Sequence, residues 1–290
     1  VSIVQTSAVS SRPHVLVVGI DGVRYDSLLA ADTPVLDGLV TTGPFGTGVL
    51  LPVQVHEKNF TVSGPVWSTV ATGVYMDRHG MVDNDTYPPQ MTQLPDFTER
   101  LRTARPELNT MIAASWFPIA SKVECGPIFS SQGWVNPVNA EVEHTLASWS
   151  AADDEVAQYA SARLASEDLA AGFVYFGEVD EYAHREGTGQ GYQDAIERCD
   201  ARLGQLLAAI ESRPGRAQED WTVIVVTDHG HLDGGGHGGD HPLDRTAWMA
   251  ASGPSLPQIS ALDHADIAPQ VLSMFEVPAP DLDGIVFGAR

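Results

Sequence analysis

His14-Val-Leu-Val-Val-Gly-Ile20 is a run of apolar residues that stops at Asp21-Gly22. Such a run lacks the polar alternation of a half-solvated strand, so it reads as a strand buried on both faces, as in a parallel sheet. Two later stretches share the pattern. Gly172-Phe-Val-Tyr-Phe-Gly-Glu-Val179 is expected to be a strand ended by Asp180, and Trp221-Thr-Val-Ile-Val-Val-Thr227 a strand ended by Asp228-His229. Further strands are expected over Phe45–Val53, Thr110–Ser115 and Thr246–Ser252. Helical patterns fall between them, at Thr33–Val40, Val66–Gly73, Pro95–Arg105, Asp153–Leu164, Tyr192–Arg213 and Asp263–Phe275. Strands alternating with helices predict an α/β fold with a mostly parallel central sheet and helices on both faces. No internal repeat or linker interrupts the 290 residues, which read as one domain over 1–290. The segment from Trp116 to Ser150, with Pro118, Pro127 and Pro137 among glycines and asparagines, reads as a small insertion or lid.

Composition narrows the function. Sixteen Lys+Arg against 38 Asp+Glu leave a net charge of −22, which argues against general nucleic-acid or anionic-membrane binding. An anionic substrate is still admissible, because distant charge is screened within about 8–10 Å and a bound metal reverses the local sign. No apolar stretch is long enough for a membrane-spanning helix. The two cysteines, Cys125 and Cys199, form no CxxC pair, which leaves either one disulfide or two separate buried thiols. Val1–Arg12 is small and polar and reads as the start of a secreted or periplasmic mature chain, or of a trimmed one.

Ligands in open α/β sheets bind beyond the carboxyl ends of the strands. A single Asp after a strand is ordinarily a turn or helix cap. Three of them, Asp21, Asp180 and Asp228, would repel one another there unless a cation neutralised them. Asp180 and His184 stand four apart, which on one helical turn puts both on one face, as two ligands of one ion require. Asp228-His229 is followed by His231, His237 and His241 in a glycine-rich loop. Oxygen and imidazole donors without thiolate suit Zn(II), with Mn(II) as the alternative. Ser63-Gly64-Pro65 reads as a helix start with Ser63 at the N-cap. That is an ordinary cap when taken alone, and a candidate nucleophile when an anion sits at the positive dipole end beside it. Asn84, in His79-Gly-Met-Val-Asp-Asn84, carries an amide that could donate to a phosphoryl oxygen.

In order along the chain, V-V-G-I-D-G-V-R-Y-D (17–26), S-G-P-V-W-S-T-V-A-T-G (63–73), H-G-M-V-D-N (79–84), D-E-Y-A-H (180–184), V-T-D-H-G-H (226–231), H-G-G-D (237–240), G-P-S-L (253–256) and A-D-I-A-P-Q-V-L (265–272) form a series. It resembles the type I phosphodiesterase/nucleotide pyrophosphatase branch of the alkaline phosphatase superfamily. The resemblance implies an alkaline-phosphatase-like fold with a reduced cap and two zinc ions. Asp180, His184 and His237 would hold one; Asp21, Asp228 and His229 would hold the other, with Ser63 bound there as nucleophile. His237 is preferred to His241 because H-G-G-D before a strand matches the third-ligand motif, which leaves His241 outside the ligand set, facing it or the substrate. Asn84 takes the phosphate-binding position. Two dications against three carboxylates and a serine alkoxide give a nearly neutral site. The implied reaction is hydrolysis of a phosphodiester or nucleotide pyrophosphate bond in a small phosphorylated substrate, through a phosphoseryl intermediate on Ser63.

The sequence departs from that family in two places. Ser63 stands where Thr is usual, and Gly64-Pro-Val-Trp67 replaces its usual neighbours. A phosphomonoesterase or phosphonate hydrolase on the same scaffold therefore stays open, as does a non-catalytic metal-binding protein. An arginine facing the non-bridging oxygens would favour a monoester, and Arg24 and Arg78 are the nearest in sequence. Arg24, Asp26 and Asp240 are expected to support the site rather than form it. Trp67 occupies the place where a sulfatase needs Arg, which argues against that activity.

Overall fold

The computed structural model describes residues 11–41, 45–129, 133–136 and 145–290. The reading of Val1–Arg12 as a mature start lies, over 1–10, outside the described residues. Strands β1 (Arg12–Ile20), β2 (Gly48–Gln54), β3 (Asn109–Ala114), β4 (Trp134–Val135), β5 (Leu169–Phe176), β6 (Glu219–Val226) and β7 (Thr246–Ser252) form one seven-stranded sheet in the order β2-β7-β6-β1-β5-β3-β4. β1 lies at its centre, parallel to β5 on one side and β6 on the other. β7 alone runs against its neighbours β6 and β2, so the sheet is mostly parallel, as its apolar strands predict.

The ten α-helices are α1 (Tyr25–Ala30), α2 (Pro34–Thr41), α3 (Ser63–Thr72), α4 (Met76–His79), α5 (Phe97–Ala104), α6 (Leu146–Ser166), α7 (Glu178–Glu186), α8 (Gln190–Glu211), α9 (Pro242–Arg245) and α10 (Ile267–Met274), counted among the described residues. They cover both faces. Val15 and Val17 of β1 pack into one core with Val70 of α3, Leu101 of α5 and Val271 of α10. Leu16 and Val18 point the other way, into a second core with Leu39 of α2, Val156 of α6 and Leu203 of α8. This is the α/β architecture, a mostly parallel sheet with helices on both faces, that the sequence predicts.

Two boundaries differ from expectation for a visible physical reason. β5 ends at Phe176, and the residues expected to finish it, Gly177 to Val179, instead turn into α7. The reason is a buried carboxylate: Asp153 on α6 accepts from the backbone N–H groups of Gly177 (3.0 Å) and Glu178 (2.9 Å), capping α7 across the fold. α6 itself begins at Leu146, inside the segment read as irregular, because Thr145 and Ser148 form a reciprocal capping box. Within the rest of 116–150, Ile119, Cys125 and Phe129 join the core; 130–132 and 137–144 lie outside the described residues. Cys125 and Cys199 are separate buried thiols, packed into the two different cores, so the disulfide alternative falls.

Candidate active site

The register of the central strands sets the geometry. Ile20 pairs with Phe176 of β5 and Gly19 with Val226 of β6, so the residues just beyond these ends share one edge of the sheet. Asp21 and Asp228 are fully buried there, and Asp180 arrives from the first turn of α7 rather than from a strand tip. The Asp21-Gly22 turn needs its glycine. Gly22 has φ +66°, and a Cβ there would lie 2.6 Å from both the Asp180 carboxylate and the His231 ring.

Asp21 and Asp228 each have one oxygen held and one left facing the centre. Asp21 Oδ2 accepts from the Trp67 indole (2.9 Å) and the Tyr175 hydroxyl (2.5 Å), while its Oδ1 lies 3.4 Å from the Ser63 hydroxyl and 3.6 Å from His229 Nε2. Asp228 Oδ1 accepts from Gly22 N–H (3.0 Å), and its buried Oδ2 has no hydrogen-bond partner. Burial, aided by the nearby Asp180 charge, pushes Asp21 up to about 7. Burial and the Asp21 charge drive Asp228 well above the carboxylate range. Burial pushes Asp180 the same way, but the His184 and His231 rings beside it outweigh that and hold Asp180 well below.

The histidines are pinned from behind. Nδ1–H of His229 donates to Gly230 O (2.9 Å), that of His231 to Gly235 O (3.1 Å) and that of His237 to Thr61 O (2.7 Å). A carbonyl only accepts, so each ring carries a proton on Nδ1 and, in its neutral form, turns the Nε2 lone pair inward. His231 Nε2 lies 2.7 Å from Asp180 Oδ1, His229 Nε2 lies 3.2 Å from Asp228 Oδ2, and His237 Nε2 lies 3.0 Å from His184 Nε2. His184 also sits 3.2 Å from Asp180 Oδ2, and that contact pushes its pKa up to about 9. Donor atoms of Asp180, His229, His231 and His237 lie within 4.8 Å of one another, and so do those of Asp21, Asp228 and His229. Lone pairs and carboxylates crowded against each other, with an orphaned buried oxygen among them, are a donor set that fits divalent cations.

Ser63 opens α3, but it does not cap it: Val62 holds the cap position and its side chain has no acceptor to offer. The hydroxyl instead lies 3.4 Å from both Asp21 Oδ1 and His229 Nε2. The expected capping role falls to Asn84, whose Oδ1 accepts from Gly64 N–H at 2.7 Å. Asp21, Ser63, Asp180, His184, Asp228, His229 and His237 thus meet at one place, with Asn84 one bond away. His241 does not: it is exposed and caps α9 by accepting from Leu243 N–H (3.2 Å). Arg24 pairs with Asp26 and Asp233, and Asp240 pairs with Arg245. Sequence reasoning left three participants without a role. Trp67 and Tyr175 reach Asp21 only through tertiary packing, and His231 was one histidine of four in a loop. A third cluster of His14, Asp168 and Glu219 lies at the opposite edge of the sheet, where Arg213 already engages the Glu219 carboxylate.

Fold and site together define an α/β protein of the alkaline-phosphatase kind with a candidate metal site. The model of the type I phosphodiesterase/nucleotide pyrophosphatase family matches residues 15–265, and the chain belongs to that family. It is 26% identical over 244 residues to mouse (Mus musculus) ectonucleotide pyrophosphatase/phosphodiesterase family member 7, a match covering 78% of this chain and 52% of that protein. The chain thus spans about half the length of the curated relatives it matches. Among solved structures, inactive murine ectonucleotide pyrophosphatase/phosphodiesterase 5 in complex with AMP superposes with a TM-score of 0.66 at 17% identity, over 94% of this chain and 97% of that one. A putative sulfatase from Bacteroides thetaiotaomicron gives 0.69 at 13% identity, over 95% and 73%. Among the described residues, no helix is long and apolar enough to cross a membrane.

Proposed function

We propose that the chain hydrolyses phosphodiester or nucleotide pyrophosphate bonds, with Ser63 as nucleophile and two zinc ions as cofactors. The observation that carries this reading is the Ser63 hydroxyl, held 3.4 Å from both Asp21 Oδ1 and His229 Nε2 at the first residue of α3. Asp21, Asp228 and His229 would hold one ion beside that hydroxyl; Asp180, His184 and His237 would hold the other. A bound pair of dications neutralises the three carboxylates, lowers the pKa of the serine and stabilises the departing oxygen.

The chain's own groups do the rest. Ser63 attacks phosphorus in line and the alcohol or nucleotide leaves. Water then cleaves the phosphoseryl bond and restores the hydroxyl. Asn84 gives its Oδ1 to Gly64 N–H, which leaves its NH2 group as the donor for a phosphoryl oxygen. Trp67 and Tyr175 fix Asp21 so that its free oxygen faces the serine. The diester reading is favoured over the monoester one because Arg24 is engaged by Asp26 and Asp233, and Arg78 by Asp283. A nucleotide as substrate agrees with the AMP complex of the murine relative.

The test is turnover of bis(p-nitrophenyl) phosphate against p-nitrophenyl phosphate, before and after chelation and zinc return. We expect diester preference, loss of activity on chelation, and a drop of more than about a hundredfold in Ser63→Ala with an unchanged circular dichroism spectrum. Activity that survives Ser63→Ala would overturn the nucleophile assignment.

A further inference from the structure

His231 is fully buried and sits at the heart of the site, yet the family resemblance gives it no role. Its Nδ1–H donates to Gly235 O (3.1 Å), so in the neutral ring its Nε2 carries a lone pair. That lone pair lies 2.7 Å from Asp180 Oδ1, an oxygen that also only accepts. Two acceptors at this separation repel unless a positive charge stands between them. Both atoms face the Gly22 backbone, where an added Cβ would lie 2.6 Å from each. The rings of His184 and His237 stand with centroids 5.1 and 4.9 Å from it.

We infer that His231 is a direct ligand, through Nε2, of the ion that Asp180 and His237 hold. This assignment rests on the two-ion reading above. It also separates His231 from His184: the tightly grouped donors are Asp180, His229, His231 and His237, while His184 is half-exposed and approaches from the solvent side. The competing arrangement puts a second proton on His231, so that the ring merely orients Asp180. Gln can imitate that role by donating an amide N–H to the same carboxylate, but it cannot supply an imidazole nitrogen.

The experiment compares wild-type protein, His231→Gln and His231→Phe. Zinc is titrated against a chromophoric chelator, and the visible spectrum is recorded after Co(II) substitution. We expect two ions in the wild type. In both variants one ion should be retained and the other weakened by about a hundredfold or more, with an altered Co(II) band. His231→Gln with two ions and the wild-type Co(II) spectrum would overturn the assignment while leaving the two-ion site intact. Wild-type protein that takes up fewer than two ions would defeat the two-ion reading itself, and this assignment with it. Should the Phe variant fail to fold, the Gln variant decides alone.

Discussion

Asp21 shows how one residue is divided between structure and chemistry. Trp67 and Tyr175 occupy one of its oxygens, and the other faces Ser63 and His229. The indole can reach it because residue 19 is glycine: a Cβ there would lie 2.5 Å from the Trp67 ring. Replacing Trp67 by Phe keeps an aromatic ring in the core but removes the 2.9 Å bond. Trp67→Phe should then lower kcat for diester hydrolysis by about tenfold and weaken zinc by a similar factor, measured by steady-state kinetics and chelator competition. Asp21 and Asp228 were legible in the sequence because each follows an apolar run. Trp67 and Tyr175 were not, because their hydrogen bonds to Asp21 depend on which segments pack together rather than on local pattern.

At the scale of the element, α7 is the piece most dependent on its surroundings. It carries Asp180 and His184, and its N-terminus is capped from α6 by Asp153, fully buried, whose carboxyl is pushed up to about 6 by that burial. Arg202 of α8 reaches both Asp153 (3.7 Å) and Glu178 (2.5 Å), tying three helices to one point. Asp153→Ala leaves the buried Glu178 N–H without an acceptor and Gly177 N–H with only the Ser115 hydroxyl (3.1 Å). It should destabilise the fold by about 1–3 kcal/mol in urea unfolding, with Asp153→Asn milder because it keeps an acceptor. This cap also explains the misplaced end of β5. Gly177-Glu-Val179 follows the apolar run without a turn signal, and a carboxylate from a distant helix caps it as a first helical turn. The four-residue spacing of Asp180 and His184 was readable all the same, because it needs only a helix, wherever that helix begins.

Over the whole molecule the two edges of the sheet are used differently. One edge collects the candidate site; the other closes on ion pairs. There Glu219 accepts a forked bond from Arg213 (2.7 and 2.9 Å) and another from the Trp221 indole (2.8 Å). Burial alone would raise Glu219, but these bonds and the neighbouring His14 bring it from 4.5 down to about 2. A carboxyl depressed by folding contributes its stability above its unfolded pKa and loses it as pH falls through the folded value. That contribution should be complete above pH ~5 and fade toward pH ~2. The difference in unfolding free energy between wild type and Glu219→Gln, measured by urea titration at pH 6 and pH 3, should shrink at the lower pH. A constant difference would contradict the pairing.

The reversed strand β7 has its own consequence. Because β7 lies antiparallel to β6, the stretch between them leaves and re-enters the sheet on a single side, and the histidines it bears never have to cross the body of the protein. Its tip, Leu232 to Gly234, is exposed to water. Evolution can lengthen or rewrite that tip, and so reshape the entrance to the chemistry, while every strand stays where it is.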